Sequence, residues 1–436
     1  MNQESNKKEY SVDQFIAKLE QAVTFICSRV INRSEVVEQA VCALLTSEHL
    51  LLQSRTGVGK SLLTEQLFTV FEGANIFRVQ ASKEQQPDTY FGGLDIELLK
   101  TGKIFHNTEG SLVESEFGFI DEIFDANDFT LRALLSLLNE RRLIRGVQHV
   151  QAKIHTVIAA TNYLRISEVT EAILDRFLYK AIVLPDKEPY LQYKISQQYL
   201  IHSGNTIENV QKIHFNELKY MSNIVRGNNN ERTISIEPKI LYFANLVIRH
   251  YEFLKNKTIR EANRGKNSHE IDEYYISPRT QAKSIDLLRA IALLHGRTSV
   301  VFEDVFKLYF IFSTVGLPEE VALFYKSYNT MYASLSTGSG FKQIEALLEF
   351  DTLLQSIAEN PSMLHQPIST FLDTPLTRTL VEWFKEKFTN LDETVQNNRR
   401  ILEGFIKNFV PATDEIRELR NTLDHQLQVI LSKIQH

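Results

Sequence analysis

The sequence predicts an α/β protein: a parallel five-stranded αβα core followed by all-helical regions. Three observations predict it. Five short β-like runs, at 49–53, 76–79, 117–120, 156–160 and 180–184, are separated by helical patterns, which implies a parallel sheet covered on both faces. A glycine-rich stretch, Ser54-Arg55-Thr56-Gly57-Val58-Gly59-Lys60-Ser61, lies between the apolar run Leu50-Leu51-Leu52 and a helical segment that begins with Leu62. A third run, Phe117-Gly118-Phe119-Ile120, ends in the paired carboxylates Asp121 and Glu122.

Each element has its own signal. Residues 12–45 read as helices, with Phe15, Leu19, Val23 and Ile26 at three-to-four spacing. The helix opened by Lys60 is expected to close at Gly73. Asp125 is the expected N-cap of a helix that places Leu131, Leu134, Leu135 and Leu138 on one face. After Pro185 the pattern turns helical, with the stripe Ile240, Phe243, Val247, Tyr251 and Leu254, and polar stretches at 226–232 and 255–269 read as exposed loops. Gly316-Leu317-Pro318 and 337–340 punctuate the next stretch, and a terminal amphipathic stripe runs through Ile416, Leu419, Leu423, Leu427, Ile430 and Ile434. The expected domains are an N-terminal helical segment (1–29), the αβα core (30–186), an all-helical lid (187–316) and a helical extension (317–436).

Composition sets bounds. The 436 residues suffice for two to three domains, and 43% hydrophobic with 23% charged residues is ordinary for a globular protein. A net charge of −6 gives no global attraction to nucleic acid or acidic membranes. Cys27 and Cys42 lie in helical patterns and read as buried free thiols. The opening MNQESNKKEYS has no apolar core and apolar stretches such as 308–312 are far too short to span a bilayer, so no membrane insertion and a cytoplasmic location are expected.

The motifs carry phosphate chemistry. Glycines let backbone N–H groups turn inward around a polyphosphate, Lys60 reaches the β/γ oxygens, and Ser61 offers a hydroxyl to Mg²⁺. The helix N-terminus beneath adds its positive end. Asp121, at the end of a neighbouring strand, is the candidate metal partner, and Glu122 the candidate general base for an attacking water. Asn162 ends the buried run 156–161 at the carboxyl side of the sheet, where ligands bind in such folds. Arg176, in Asp175-Arg176-Phe177, is a candidate arginine finger acting on a neighbouring subunit's phosphates. Ser277-Pro278 opens a helix whose first turn holds Arg279, a cation that opposes the helix dipole unless an anion joins it.

In this order the elements resemble AAA+ ATPases, and more narrowly the MoxR family. The carrying segments are 35–61, 117–146, 156–162, 171–178 and 276–305, and the resemblance covers roughly 30–317. It implies that 54–62 form Walker A, Asp121 and Glu122 Walker B, Asn162 sensor 1, Arg176 the arginine finger and Arg279 sensor 2. It further implies ATP and Mg²⁺ at the subunit interfaces of a homo-oligomeric, usually hexameric ring. Members of the family look like chaperones that mature partners, often proteins with a von Willebrand A domain. The family's insertion would fall at 85–112, with a loop at 90–93 and a hairpin at 101–103. Two positions depart from the pattern: Ser54 replaces the first Walker A glycine, and Arg33 stands where glycine is usual near the adenine pocket. Beyond 317 the chain is similar only in architecture to RavA-type members. The rival reading is a nucleic-acid motor or restriction-type nucleotidase, supported by the acid-free stretch 141–167 and a hairpin expected at 144–154.

Overall fold

Strands form where the sequence is most continuously apolar. In the computed structural model, which describes residues 10–434 except 56, 146–147, 164–167, 203–209, 230, 264–272, 314–317, 367, 369–376 and 378–393, these runs pair into one sheet. In chain order the strands are β1 (Leu50–Ser54), β2 (Phe71–Glu72), β3 (Ile76–Gln80), β4 (Phe117–Asp121), β5 (Arg142–Arg145), β6 (Gln148–Gln151), β7 (Thr156–Thr161), β8 (Tyr179–Val183) and β9 (Ile213–His214). The central sheet has the order β3-β4-β7-β1-β8, and every neighbouring pair is parallel. All six residues of β7 are buried, as both faces of a covered parallel sheet require. β5 and β6 form an antiparallel hairpin, and β2 pairs with β9.

The helices are α1 (Val12–Arg29), α2 (Ser34–Thr46), α3 (Lys60–Thr69), α4 (Asp88–Phe91), α5 (Ile96–Lys100), α6 (Asp128–Glu140), α7 (Glu168–Arg176), α8 (Pro189–His202), α9 (Phe215–Val225), α10 (Pro238–Ala262), α11 (Pro278–Leu294), α12 (Tyr309–Phe312), α13 (Pro318–Ser336), α14 (Gly340–Glu359), α15 (Thr394–Asn408) and α16 (Asp414–Ile434). α2 is apolar almost all round and is buried without a break from Gln39 to Thr46. Among the described residues no helix is long and apolar enough to cross a membrane.

The chain divides into two compact units. The first comprises 1–235 and 276–321, the second 236–275 and 322–436. The five-stranded sheet and α11 lie in the first unit, whereas α10 groups with the C-terminal helices. In the second unit Phe243 of α10 makes edge-on contacts with Tyr328, Tyr332 and Phe341 at 5.5–6.0 Å between ring centroids. Phe350 of α14 stacks on Phe405 of α15 at 4.6 Å. α16 turns Ile416, Leu423, Leu427 and Leu431 inward, so its apolar stripe is covered within its own unit.

Several local expectations are corrected. Asn127, not Asp125, caps α6, accepting from Thr130 N at 2.9 Å. Asp125 instead ends a 3-10 turn and accepts the Tyr163 hydroxyl. Gly73 does not close α3, which stops at Thr69; it turns the chain after β2, at φ +74°, where a Cβ would lie 2.8 Å from His214 Nε2. Within 85–112, Tyr90 and Phe91 belong to α4, and Thr101-Gly102 ends α5 rather than forming a strand hairpin. Residues 255–262 are the last turns of α10, held in part by the buried Lys255 ammonium 3.8 Å from the Tyr274 ring centre; 264–272 lie outside the described residues. Cys42 is buried but Cys27 is only half-buried; both are free thiols.

Candidate functional site

The parallel sheet brings the carboxyl ends of β1, β4 and β7 side by side, and the sequence-marked polar residues follow each end. After β1 the chain turns through Gly57 (φ +83°) and Gly59 (φ +87°) into α3. A left-handed backbone favours glycine, and a Cβ built at either position meets nothing within 4 Å. The loop is therefore an open cradle beneath a helix N-terminus, the arrangement that suits a polyphosphate. Ser54 is buried and its hydroxyl donates to Arg55 O at 3.0 Å. Thr56 lies outside the described residues. Arg55 is exposed, and Leu62 lies on the outer face of α3.

Lys60, Glu122 and Asn162 converge. Lys60 is 7% exposed, its Nζ donates to Asn162 Oδ1 at 2.7 Å and lies 3.6 Å from Glu122 Oε1. Asn162 holds Glu122 twice: its backbone N–H donates to Oε2 at 3.1 Å and its Nδ2 donates to Oε1. Glu122 sits at φ +51°, a left-handed conformation that disfavours a side-chain-bearing residue by about 1–2 kcal/mol. Its N–H donates to Asp121 Oδ1 at 3.0 Å, so Asp121 helps fix this turn. Ser61 Oγ donates to Asp121 Oδ2 at 3.4 Å. A hydroxyl beside one carboxylate at the phosphate loop fits Mg²⁺, which binds through one or two carboxylates plus substrate phosphates. Among the described residues no group of three or more His, Cys, Asp and Glu side chains gathers as a dedicated metal cage would.

A second group is separate from the first. Arg176, at the end of α7, pairs with Asp175, and Arg279 Nη1 stands 3.9 Å from Asp175 Oδ2. Arg176 Nε is buried and makes no hydrogen bond. Ser277 caps α11 as expected, accepting from Thr280 N at 3.2 Å, so Arg279 lies in the first turn. No hydrogen bond or ion pair among the described residues links Arg176 or Arg279 to Lys60, Ser61, Asp121, Glu122 or Asn162.

Sequence reasoning missed the wall beside the loop. A cavity of about 450 Å³ is lined by Gly57, Val58, Gly59 and Leu62 on one side and by Asp186 and Tyr199 on the other. Arg33 also lines it: Nη2 donates to Leu184 O at 3.1 Å and lies 2.8 Å from Asp186 Oδ2. Asn32 donates to Asp186 Oδ1 at 2.6 Å. The one sequence signal was Arg33 itself, a charged residue where glycine is expected. In the hairpin, Arg145 donates to Asp88 Oδ1 at 2.6 Å and Arg142 to Gln151 Oε1 at 3.2 Å. Both cations thus serve the chain's own structure.

Fold and site together define an AAA+ nucleotide-binding protein with an all-α lid. Comparison with known families refines this. Residues 17–223 match the profile described as the MoxR domain in the MoxR-vWA-beta-propeller ternary systems, and 254–314 match an AAA lid domain. An uncharacterized protein of Methanocaldococcus jannaschii is 27% identical over 69% of this chain and 71% of its own length. The chaperone MoxR1 of Mycobacterium tuberculosis is 28% identical over 41% of this chain. The chain spans about half of that relative, 48% of its length. A crystal structure from Cytophaga hutchinsonii, described as a candidate ATPase, superposes with a TM-score of 0.54 at 17% identity, covering 74% of this chain and 95% of that one, a likeness of fold. Residues 17–223 thus carry a MoxR domain of the AAA+ class, followed by an AAA lid domain at 254–314.

Proposed function

We propose that this protein hydrolyses ATP with Mg²⁺ in a homo-oligomeric ring, by expectation a hexamer, and uses the cycle to remodel a protein partner. The observation that carries the reading is the convergence of Lys60, Asn162 and Glu122 beside an open glycine cradle, with Ser61 and Asp121 adjacent. Residues 54–62 cradle the phosphates, and the β/γ charge draws Lys60 away from Asn162. Ser61 and Asp121 would hold Mg²⁺, which when bound supplies charge neutralisation on the phosphate oxygens. Glu122 takes a proton from the attacking water, and Asn162 orients that carboxylate through its two hydrogen bonds. The arginine-finger assignment fits Arg176, which among the described residues makes no hydrogen bond or ion pair with Lys60, Ser61, Asp121, Glu122 or Asn162 and leaves its Nε without a partner. Arg279 serves as sensor 2.

The partner class rests on relatives: the matching profile is described from systems containing vWA domains, and the Mycobacterium tuberculosis relative is named a chaperone. We therefore assign a partner with a von Willebrand A domain. No specific observation favours the nucleic-acid reading, since Arg142 and Arg145 are engaged within the chain. The test is Mg²⁺-dependent phosphate release from ATP by the purified protein. Turnover that stops with chelator and in Lys60→Ala is expected; an inactive wild-type protein in its assembled form, with its vWA partner present, would overturn the proposal.

A further inference from the structure

At the amino ends of the strands, on the side of the sheet opposite the phosphate loop, lies a second recess of about 480 Å³. Ser47, Gly73, Glu116 and His155, which precede β1, β3, β4 and β7, contribute its floor, and α9 supplies one wall through Lys219, Asn223 and its C-cap residue Arg226. Its charge is one-sided: Arg141, Lys153, Lys219 and Arg226 line it against the single carboxylate of Glu116. Glu116 is already engaged, accepting from Asn75 N at 2.7 Å, and Lys153 is paired with Glu114 at 2.8 Å. Lys219 and Arg226 are exposed at the rim and have no carboxylate within ion-pair distance among the described residues.

Arg141 is the inner cation. Its guanidinium donates only to neutral oxygens, to Ser47 O, to Ser47 Oγ at 3.0 Å and to Ile154 O at 2.7 Å. Glu48, the carboxylate nearest in charge, is itself held by Lys283 at 2.8 Å. Burial depresses the Arg141 pKa; the Glu48 charge partly offsets this, and Arg226 adds to the depression. His155 beneath adds no further positive charge, because burial holds it neutral with a pKa of about 3. Arg141 also occupies the left-handed C-cap of α6 (φ +53°), where glycine is favoured. A mostly buried cation without a directly paired counter-ion is costly, and a concave site of one sign concentrates ions of the other.

We infer that this recess binds a small organic phosphate, its phosphoryl group between Arg141 and the rim pair Lys219 and Arg226, and its organic part against Phe215, Ile154 and Ala152. Guanidinium forks suit phosphate oxygens bidentately. The volume exceeds that of a bare phosphate, and Phe215, Ile154 and Ala152 form the smaller, apolar part of an otherwise polar lining. The site is independent of the nucleotide site and of the function proposed above.

The experiment is calorimetric titration of full-length Lys60→Ala protein, which weakens phosphate binding at the glycine loop, with phenyl phosphate and inorganic phosphate as probes. Saturable binding is expected for both, tighter for the ester. Lys219→Gln with Arg226→Gln, two exposed positions whose replacement leaves the core intact, should weaken the ester by at least about tenfold, as removal of two charge-assisted contacts predicts. An unchanged thermal midpoint checks that this variant is folded. No saturable binding, or affinity unmoved by the double substitution, would overturn the site. Equal affinity for ester and inorganic phosphate would overturn its assignment to an organic ligand.

Discussion

Lys60 donates to Asn162 Oδ1 at 2.7 Å across 102 residues of sequence, and the same amide grips Glu122 from its other side. Under the proposed function, a nucleotide's phosphates compete with Asn162 for the lysine. Once the lysine has moved, Asn162 still holds the glutamate through its backbone N–H at 3.1 Å.

Replacing that amide separates binding from turnover. Asn162→Ala removes one of the two hydrogen bonds on Glu122 and the ligand-free partner of Lys60. Turnover should fall by about 100- to 1,000-fold, the range for loss of one preorganised hydrogen-bond donor in an active site. Nucleotide affinity should hold or rise, because Lys60 is released. Steady-state hydrolysis alongside equilibrium nucleotide binding checks this; wild-type turnover would remove Asn162 from the reaction.

Arg176 and Arg279 share Asp175 and, among the described residues, make no hydrogen bond or ion pair with Lys60, Ser61, Asp121, Glu122 or Asn162. If the finger acts in trans, mixing Arg176→Ala with Lys60→Ala subunits rebuilds interfaces in which one subunit gives the pocket and the other the arginine. The mixture should exceed either variant alone, since an arginine finger contributes about 10³–10⁵ in rate. Absence of recovery in verified mixed assemblies would refute the assignment.

Acid should destabilise the αβα unit through two histidines. His49 accepts from Val157 N at 3.0 Å on Nδ1 and lies 3.0 Å from Leu138 O through Nε2, so it is neutral. Burial lowers its pKa to about 4 and that of His155 to about 3. The folded state thus binds fewer protons than the unfolded state between about pH 6.5 and these values, and its stability falls as pH falls through that window. The stability lost on full acidification is on the order of 3 kcal/mol for His49 and 5 kcal/mol for His155. Denaturant midpoints measured from pH 7 to pH 4 should drop, and by less in His49→Gln; a flat profile in the wild type would contradict the buried-neutral reading.

Truncation tests the second unit. Removing 340–436 takes Phe341 and all of α14 away from α10, uncovering the face around Phe243. The shortened protein should expose apolar surface and aggregate, since removing one large aromatic side chain from a core costs about 3–5 kcal/mol. A monodisperse, folded truncation would show that α10 does not depend on the C-terminal helices.

The five central strands were legible because each is a short apolar run bounded by polar residues. Their ends shifted by one residue, since Ser54, Gln80, Asp121 and Thr161 pair through backbone groups that hydropathy does not report. The phosphate loop and the carboxylates after β4 were legible because strand, turn and helix follow one another locally. What the sequence hid is tertiary: Asn32 and Arg33 meet Asp186 only when β8 closes against β1, and Asp175 serves two arginines from different elements. The end of α10 read as a loop because its charged residues outweigh its apolar ones, yet Lys255 is buried against aromatic rings.

The most direct test of the catalytic assignment is Glu122→Gln. An amide keeps the size of the side chain and one acceptor for Asn162 but cannot take a proton from water, so general-base catalysis, worth about 10²–10⁴ in rate, should be lost. Equilibrium binding of ATP with Mg²⁺ and single-turnover hydrolysis, measured on the same preparation, give the answer. Wild-type nucleotide affinity with turnover reduced by that factor is the expected result; hydrolysis at the wild-type rate would contradict the role of Glu122 as the base.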